Sequence, residues 1–212
     1  MNVYEEHFPK IEQLLKGYST VRRATVQPYH YDEYIRQHTD YEYKPTDLII
    51  RESLLEHVGM LPILATYFHP HLSKSVDLGV VLQMLAIHDI GETTTGDVSV
   101  FNKKGDEDEL EKEAALSILH SSQHDLYYQY TQLETNEAKF AKSIDKISPD
   151  IYDVLTDYKV NSIRLACFTD SKPEIIPNLI RTHKSPYMEW CPFMKEFHDG
   201  LIKKLEEIYC KN

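Results

Sequence analysis

The chain has only seven glycines in 212 residues, and runs that alternate apolar with polar residues are scarce. Tight hairpin turns and half-buried strands therefore have little to be built from, which excludes a β-sandwich or barrel. Its three cysteines, Cys167, Cys191 and Cys210, are odd in number, far apart and never in a Cys-x-x-Cys pair. That pattern speaks against a disulfide framework and fits a reducing compartment. Positive charge is also short: 23 basic against 34 acidic residues give a formal net charge of −11, so a nucleic-acid polymer meets net repulsion. A small phosphorylated metabolite is not excluded, because one bound divalent cation supplies local positive charge. No stretch approaches the ~18 consecutive apolar residues of a membrane span. The first residues, Met1-Asn-Val-Tyr-Glu-Glu-His7, show no basic region followed by an apolar one. The expectation is a cytoplasmic protein with no membrane partner.

What is present is ordinary globular material, 42% hydrophobic and 27% charged, in which helical periodicity recurs. The fold class expected is all-α, in one domain over residues 1–212: an N-terminal helix and tyrosine-rich extension over 1–49, a core over 50–150 and C-terminal helices over 151–212. Residues 5–16 carry Phe8, Ile11, Leu14 and Leu15 on one face, with Gly17 as the stop. The pattern weakens over 18–47, where six tyrosines (Tyr18, Tyr29, Tyr31, Tyr34, Tyr41 and Tyr43) stand among charges and prolines. This stretch reads as an irregular surface wrap, or as a flap or homodimer contact near a site. Ser53 and Glu56 form a capping box for a helix whose apolar stripe is Leu54, Val58, Leu61, Ala65 and Phe68, with a kink or bulge expected at Gly59 and Pro62. Asp77 caps a helix over 77–89 with Leu78, Val81, Leu82 and Leu85 inward. A loop over 91–104, helices over 107–121, 126–133 and 137–147, and a break at Ser148-Pro149 follow. Further helices are expected over 151–158, 161–168, 175–184 and 192–209.

Three of these helices set a metal-ligand type on an otherwise apolar face: His57, the adjacent pair His88 and Asp89, and Asp145. Singly, each has a plain explanation, His57 as a core histidine and Asp145 as a partner of Lys142 or Lys146. Together, two imidazoles and two carboxylates make a hard-to-borderline set suited to Mn, Fe, Co, Zn or Mg.

The order His57, His88-Asp89, Asp145, with Glu56 before the first histidine and Glu92 and Gly96-Asp97 after the pair, resembles the HD-domain metal-dependent phosphohydrolases, in particular their 5'-deoxynucleotidase-like branch. The matching text is Arg-Glu-Ser-Leu-Leu-Glu-His, Leu-Ala-Ile-His-Asp-Ile-Gly-Glu-Thr-Thr-Thr-Gly-Asp and Glu-Ala-Lys-Phe-Ala-Lys-Ser-Ile-Asp-Lys, within residues 50–150. The resemblance implies a helical bundle in which His57, His88, Asp89 and Asp145 hold one divalent metal ion. It also implies that Glu92 works on the attacking water or the leaving oxygen, and that Asp97 positions the sugar side of a small nucleotide substrate.

The sequence departs from the family at the phosphate's arginine. The family places an arginine followed by an aromatic residue upstream of the first histidine, whereas here Arg22-Arg23 is followed by Ala24. Arg23 and Arg51 are both candidates, since an arginine grips phosphate bidentately. His120 and His124 raise a binuclear alternative, as some HD proteins hold a second metal with extra histidines between the His-Asp pair and the last Asp. The function implied is phosphate release from a (deoxy)nucleoside 5'-monophosphate; the alternatives are hydrolysis of a diphosphate, cyclic or regulatory nucleotide, and a non-catalytic nucleotide-sensing module.

Overall fold

The computed structural model describes residues 3–27, 51–99 and 105–210. Their architecture is helical: α1 (Val3–Thr20), α2 (Leu54–Phe68), α3 (Leu78–Ile87), the single turn α4 (Glu92–Thr95), α5 (Glu107–Ile118), α6 (His124–Gln132), α7 (Asn136–Leu155), α8 (Tyr158–Ala166), α9 (Ile176–His183) and α10 (Pro192–Tyr209). A two-stranded antiparallel sheet, β1 (Arg22–Val26) with β2 (Arg51–Ser53), interrupts the helices. Among the described residues no helix is long and apolar enough to cross a membrane.

Helix α7 is the central element and packs against α2, α3, α6 and α10. Its inner face, Ala138, Phe140, Ala141, Ile144 and Ile147, is fully buried among Leu61, Leu64, Phe68, Val81, Met84 and Leu85. A second cluster, Leu165, Ile176, Ile180, Ile202, Leu205 and Tyr209, joins α8, α9 and α10. A third, Ile87, Ile90, Ala115, Leu119 and Tyr127, seats α5 and α6 beside the end of α3.

Local chemistry sets the helix starts. The capping box on α2 forms as expected, with Ser53 Oγ accepting from the Glu56 backbone N–H at 3.1 Å and Glu56 Oε2 accepting from the Ser53 N–H at 2.6 Å. Asp77 Oδ1 likewise accepts from the backbone N–H groups of Gly79 and Val80.

Several expectations are corrected. Gly17 does not end α1, which continues to Thr20. Its role is close approach: a Cβ there would lie 2.6 Å from Thr93 Cβ, so glycine lets α1 seat directly on α4. The irregular wrap contains β1, while Tyr29, Tyr31, Tyr34, Tyr41 and Tyr43 lie outside the described residues. Pro62 and Gly59 do not interrupt α2, and Gly59 is exposed with open space beside it. Pro149 does not break α7, which runs on to Leu155 and absorbs the separate helix expected over 151–158. A proline costs one hydrogen bond, here to the Asp145 carbonyl one turn back, and burial of the long inner face outweighs that loss. The loop expected after Gly91 holds the helical turn α4, and its residues 100–104 lie outside the described ones.

Candidate metal centre

The four ligand-type residues reach one point from three segments. His57 lies one turn into α2, where the cap fixes the helix start and a hydrogen bond from the Leu54 N–H to the Val21 carbonyl, 3.1 Å, ties that start to the end of α1. His88 is the C-cap of α3, and Asp89 sits in the turn beyond it, so the helix stops short of the expected Asp89. Asp145 comes from the middle of α7. All four are buried, and one ligand atom from each lies within 4.8 Å of the others.

His57 Nε2 is 3.4 Å from Asp145 Oδ1 and 3.6 Å from Asp89 Oδ2; His88 Nε2 is 3.1 Å from Asp89 Oδ2 and 3.8 Å from Asp145 Oδ1. Neither Nε2 has a hydrogen-bond partner among the described residues. At His88 the ring orientation is fixed from behind: Nδ1 is 2.9 Å from the Leu85 carbonyl, which can only accept, so Nδ1 carries the hydrogen. Asp145 is held at its other oxygen. Tyr130 donates its hydroxyl to Oδ2 at 3.2 Å, Lys146 Nζ lies 3.1 Å from Oδ2, and Lys142 donates to the Tyr130 hydroxyl at 3.0 Å. Two buried imidazole nitrogens without partners, facing two carboxylate oxygens, fit a divalent cation with mixed N and O ligands.

The electrostatics point the same way. Burial opposes a charged His88, yet the neighbouring Asp89 and Asp145 carboxylates raise its imidazole to about 10. Burial pushes Asp145 up, and Lys146, Lys142 and the two histidines outweigh it, holding the carboxyl well below its ordinary range. Asp89 is likewise lowered, against the effect of burial, by His88 and Arg23. The pocket therefore draws positive charge to itself.

Arg23 is the cation that reaches this group from the sheet. Its Nη1 donates to Asp89 Oδ2 at 2.6 Å and to Glu92 Oε2 at 3.2 Å. The pairings Arg22 with Ser53 and Val26 with Arg51 span four steps on β1 (26 − 22) against two on β2 (53 − 51). Such a bulge re-aims side chains, and Arg23 lies inside it. Arg51 is elsewhere, with its guanidinium 5.9 Å from the centre of the Phe168 ring.

Glu92 opens α4 and is buried. Burial and the nearby Asp89 carboxylate push it up to about 9, against the pull of Arg23. Gly96 then takes φ 79°, which favours glycine, and turns the chain so that Asp97 Oδ2 accepts from the Ala24 backbone N–H of β1 at 3.2 Å. A carboxylate oxygen of Glu111 on α5 also comes within 4.8 Å of one from Asp89 and one from Glu92. His120 and His124 are not brought to the cluster: His120 Nδ1 bonds Ser122, and His124 Nε2 lies 3.2 Å from the Leu116 and Leu119 carbonyls.

Sequence reasoning missed Glu52, fully buried behind His57 and Arg23, and Tyr130, which backs Asp145. No sequence signal marked Glu52, since the three residues of β2 carry no readable alternation. The pairing of Asp145 with its lysines and its place among the histidines are both real, one at each carboxylate oxygen.

A 5'-deoxynucleotidase, HDDC2, of Dictyostelium discoideum is 30% identical over 111 residues, covering 46% of this chain and 58% of the relative's length. A crystal structure titled as a predicted metal-dependent phosphohydrolase from Magnetospirillum magnetotacticum MS-1 superposes with a TM-score of 0.69 at 20% identity, over 97% of this chain and 96% of that one. The PH0347 protein of Pyrococcus horikoshii OT3 shares the fold with a TM-score of 0.56 at 16% identity, over 93% and 99% of the two chains. The family profile described as HD domain matches residues 44–179, more than half of the sequence, and the chain belongs to the HD domain family.

Proposed function

We propose that the chain is a metal-dependent phosphohydrolase that releases phosphate from a (deoxy)nucleoside 5'-monophosphate. His57, His88, Asp89 and Asp145 hold one divalent ion, which on this reading is Mn, Co, Fe, Zn or Mg. The observation that carries the proposal is the meeting of these four buried ligand atoms within 4.8 Å beside Arg23 and Glu92. The 5'-deoxynucleotidase name of the Dictyostelium relative supports the substrate class.

A divalent ion bound there neutralises a phosphoryl oxygen and lowers the pKa of a water molecule. The chain's own residues do the rest. Arg23, braced by Asp89 and Glu92, offers the anionic phosphate a fixed guanidinium. Water oxygen forms the new bond to phosphorus as the bond to the 5'-oxygen breaks, and the departing oxygen needs a proton. Glu92, beside Arg23 and one short turn past Asp89, is the carboxyl placed to donate or relay it. Asp97, which is tied to the β1 backbone on the far side of that turn, is on this reading the residue that positions the sugar side.

The test is phosphate release from nucleoside mono-, di- and triphosphates, ribo and deoxy, by chelator-stripped protein resupplied with Mn or Co. Activity that vanishes on stripping and returns with metal, greatest on deoxynucleoside monophosphates, is expected. Metal-loaded protein that releases phosphate from none of them overturns the proposal.

A further inference from the structure

Glu52, the residue before the α2 N-cap, is 0% exposed, and neither carboxylate oxygen has a hydrogen-bond partner among the described residues. Its Oε2 faces Nδ1 of His57 at 3.6 Å and Nε of Arg23 at 4.0 Å, and those two nitrogens are likewise without partners. The opposite ends of the same two side chains front the cluster: His57 Nε2 toward Asp145, and Arg23 Nη1 on Asp89. Burying a carboxylate without hydrogen bonds is costly, so stability is a poor reason for it to be there.

Two other members of the cluster have a partner behind them: His88 has the Leu85 carbonyl at Nδ1, and Asp145 has Tyr130 and Lys146 at Oδ2. For His57 the group in that position is Glu52.

We infer that Glu52 is a positioning residue whose carboxylate takes the Nδ1–H of His57 and the Nε–H of Arg23, aiming His57 Nε2 at the metal and the guanidinium at the phosphate. An outer carboxylate of this kind fixes the imidazole tautomer and strengthens the ring as a ligand. Because one carboxylate serves both α2 and the β1 bulge, it ties the metal ligand to the phosphate grip. The inference rests on the metal reading of this site.

Stripped wild-type protein, Glu52→Gln and Glu52→Met are titrated with Co²⁺ without substrate, following visible absorption, and their stripped forms are unfolded by heat. We expect the stripped Glu52→Met protein to be at least as stable as wild type. Both variants should bind Co²⁺ roughly 10–100-fold more weakly, with an altered spectrum. Wild-type Co²⁺ affinity and spectrum in both variants would overturn the inference, as would failure of both to fold, which makes Glu52 a structural residue. Wild-type protein that binds no Co²⁺ would instead sink the metal reading itself, and this inference with it.

Discussion

Helix α7 carries two buried polar clusters within three turns, built from similar residue types. Around Asp145 lie His57, His88, Asp89, Glu92, Glu52, Arg23, Lys142 and Lys146. Around Asp150 and Asp153 lie Lys184, His198, Arg164 and Tyr209. In the second cluster each carboxylate has its own cation from a neighbouring segment: Lys184 donates to Asp150, and Arg164 to Asp153. Tyr209 adds a hydrogen bond to the Asp153 carbonyl at 2.6 Å, while His198 faces Asp150 Oδ2 at 3.4 Å. In the first cluster two imidazole nitrogens, His57 Nε2 and His88 Nε2, converge on the same two carboxylate oxygens, Asp89 Oδ2 and Asp145 Oδ1, whereas in the second His198 alone faces a carboxylate oxygen without a hydrogen bond. Charges paired across segments join helices; two imidazoles and two carboxylates converging on one point leave a place for a cation.

Substitution on either side should break this contrast in opposite ways. The largest effect is expected at Asp145→Ala, which removes a proposed ligand. Metal affinity and phosphate release should fall by more than the roughly 100-fold that loss of an outer partner costs. Equilibrium binding of Mn and a phosphate-release assay measure both; retention of tight binding would dissolve the distinction between the clusters. Glu92→Gln comes next, with kcat lower by about 10²–10⁴-fold while metal affinity is kept, as for the loss of a general acid or base.

Asp150→Asn should do the reverse. It takes from the partly exposed Lys184 the buried anion it pairs with, so stability should fall by about 3 kcal/mol or less, the low end for breaking a buried pair, in denaturant unfolding while metal affinity per folded molecule is unchanged. Metal removal gives the smallest effect. Adding Mn at 100 times its dissociation constant should stabilise wild type by about 2.7 kcal/mol and Asp150→Asn by the same amount, but leave Asp145→Ala unmoved. Equal stabilisation of all three proteins would locate the bound ion elsewhere.

Much of this was legible from local signals. The Ser53–Glu56 box and the Asp77 cap marked two helix starts, and the helix expected over 192–209 forms as α10. His57, His88, Asp89 and Asp145 stood out because a ligand-type side chain on an apolar helix face needs a reason to be buried. The β1–β2 pair was not legible: five and three residues, joined across 24 positions, carry too short an alternation to read. Pro149 misled for a related reason, since a local breaker was weighed without the burial that holds α7 together around it. Glu52 was passed over because one acidic residue beside Arg51 reads as an exposed charge until the strand turns it inward.

The sequence by itself therefore determined the helical class, the helix caps and the identity of the four converging side chains, because caps and amphipathic faces are properties of neighbours along the chain. The tertiary structure decided which arginine faces them. Arg23 and Arg51 are equivalent in sequence, and only the bulge in β1 sends one to Asp89 and Glu92 while the other lies over Phe168. It also decided that Glu52 stands behind His57, and that Lys142 and Lys146 hold one oxygen of Asp145 while the histidines face the other. Electrostatic partnership depends on distance and burial in three dimensions, and the spacing of residues along the chain fixes neither.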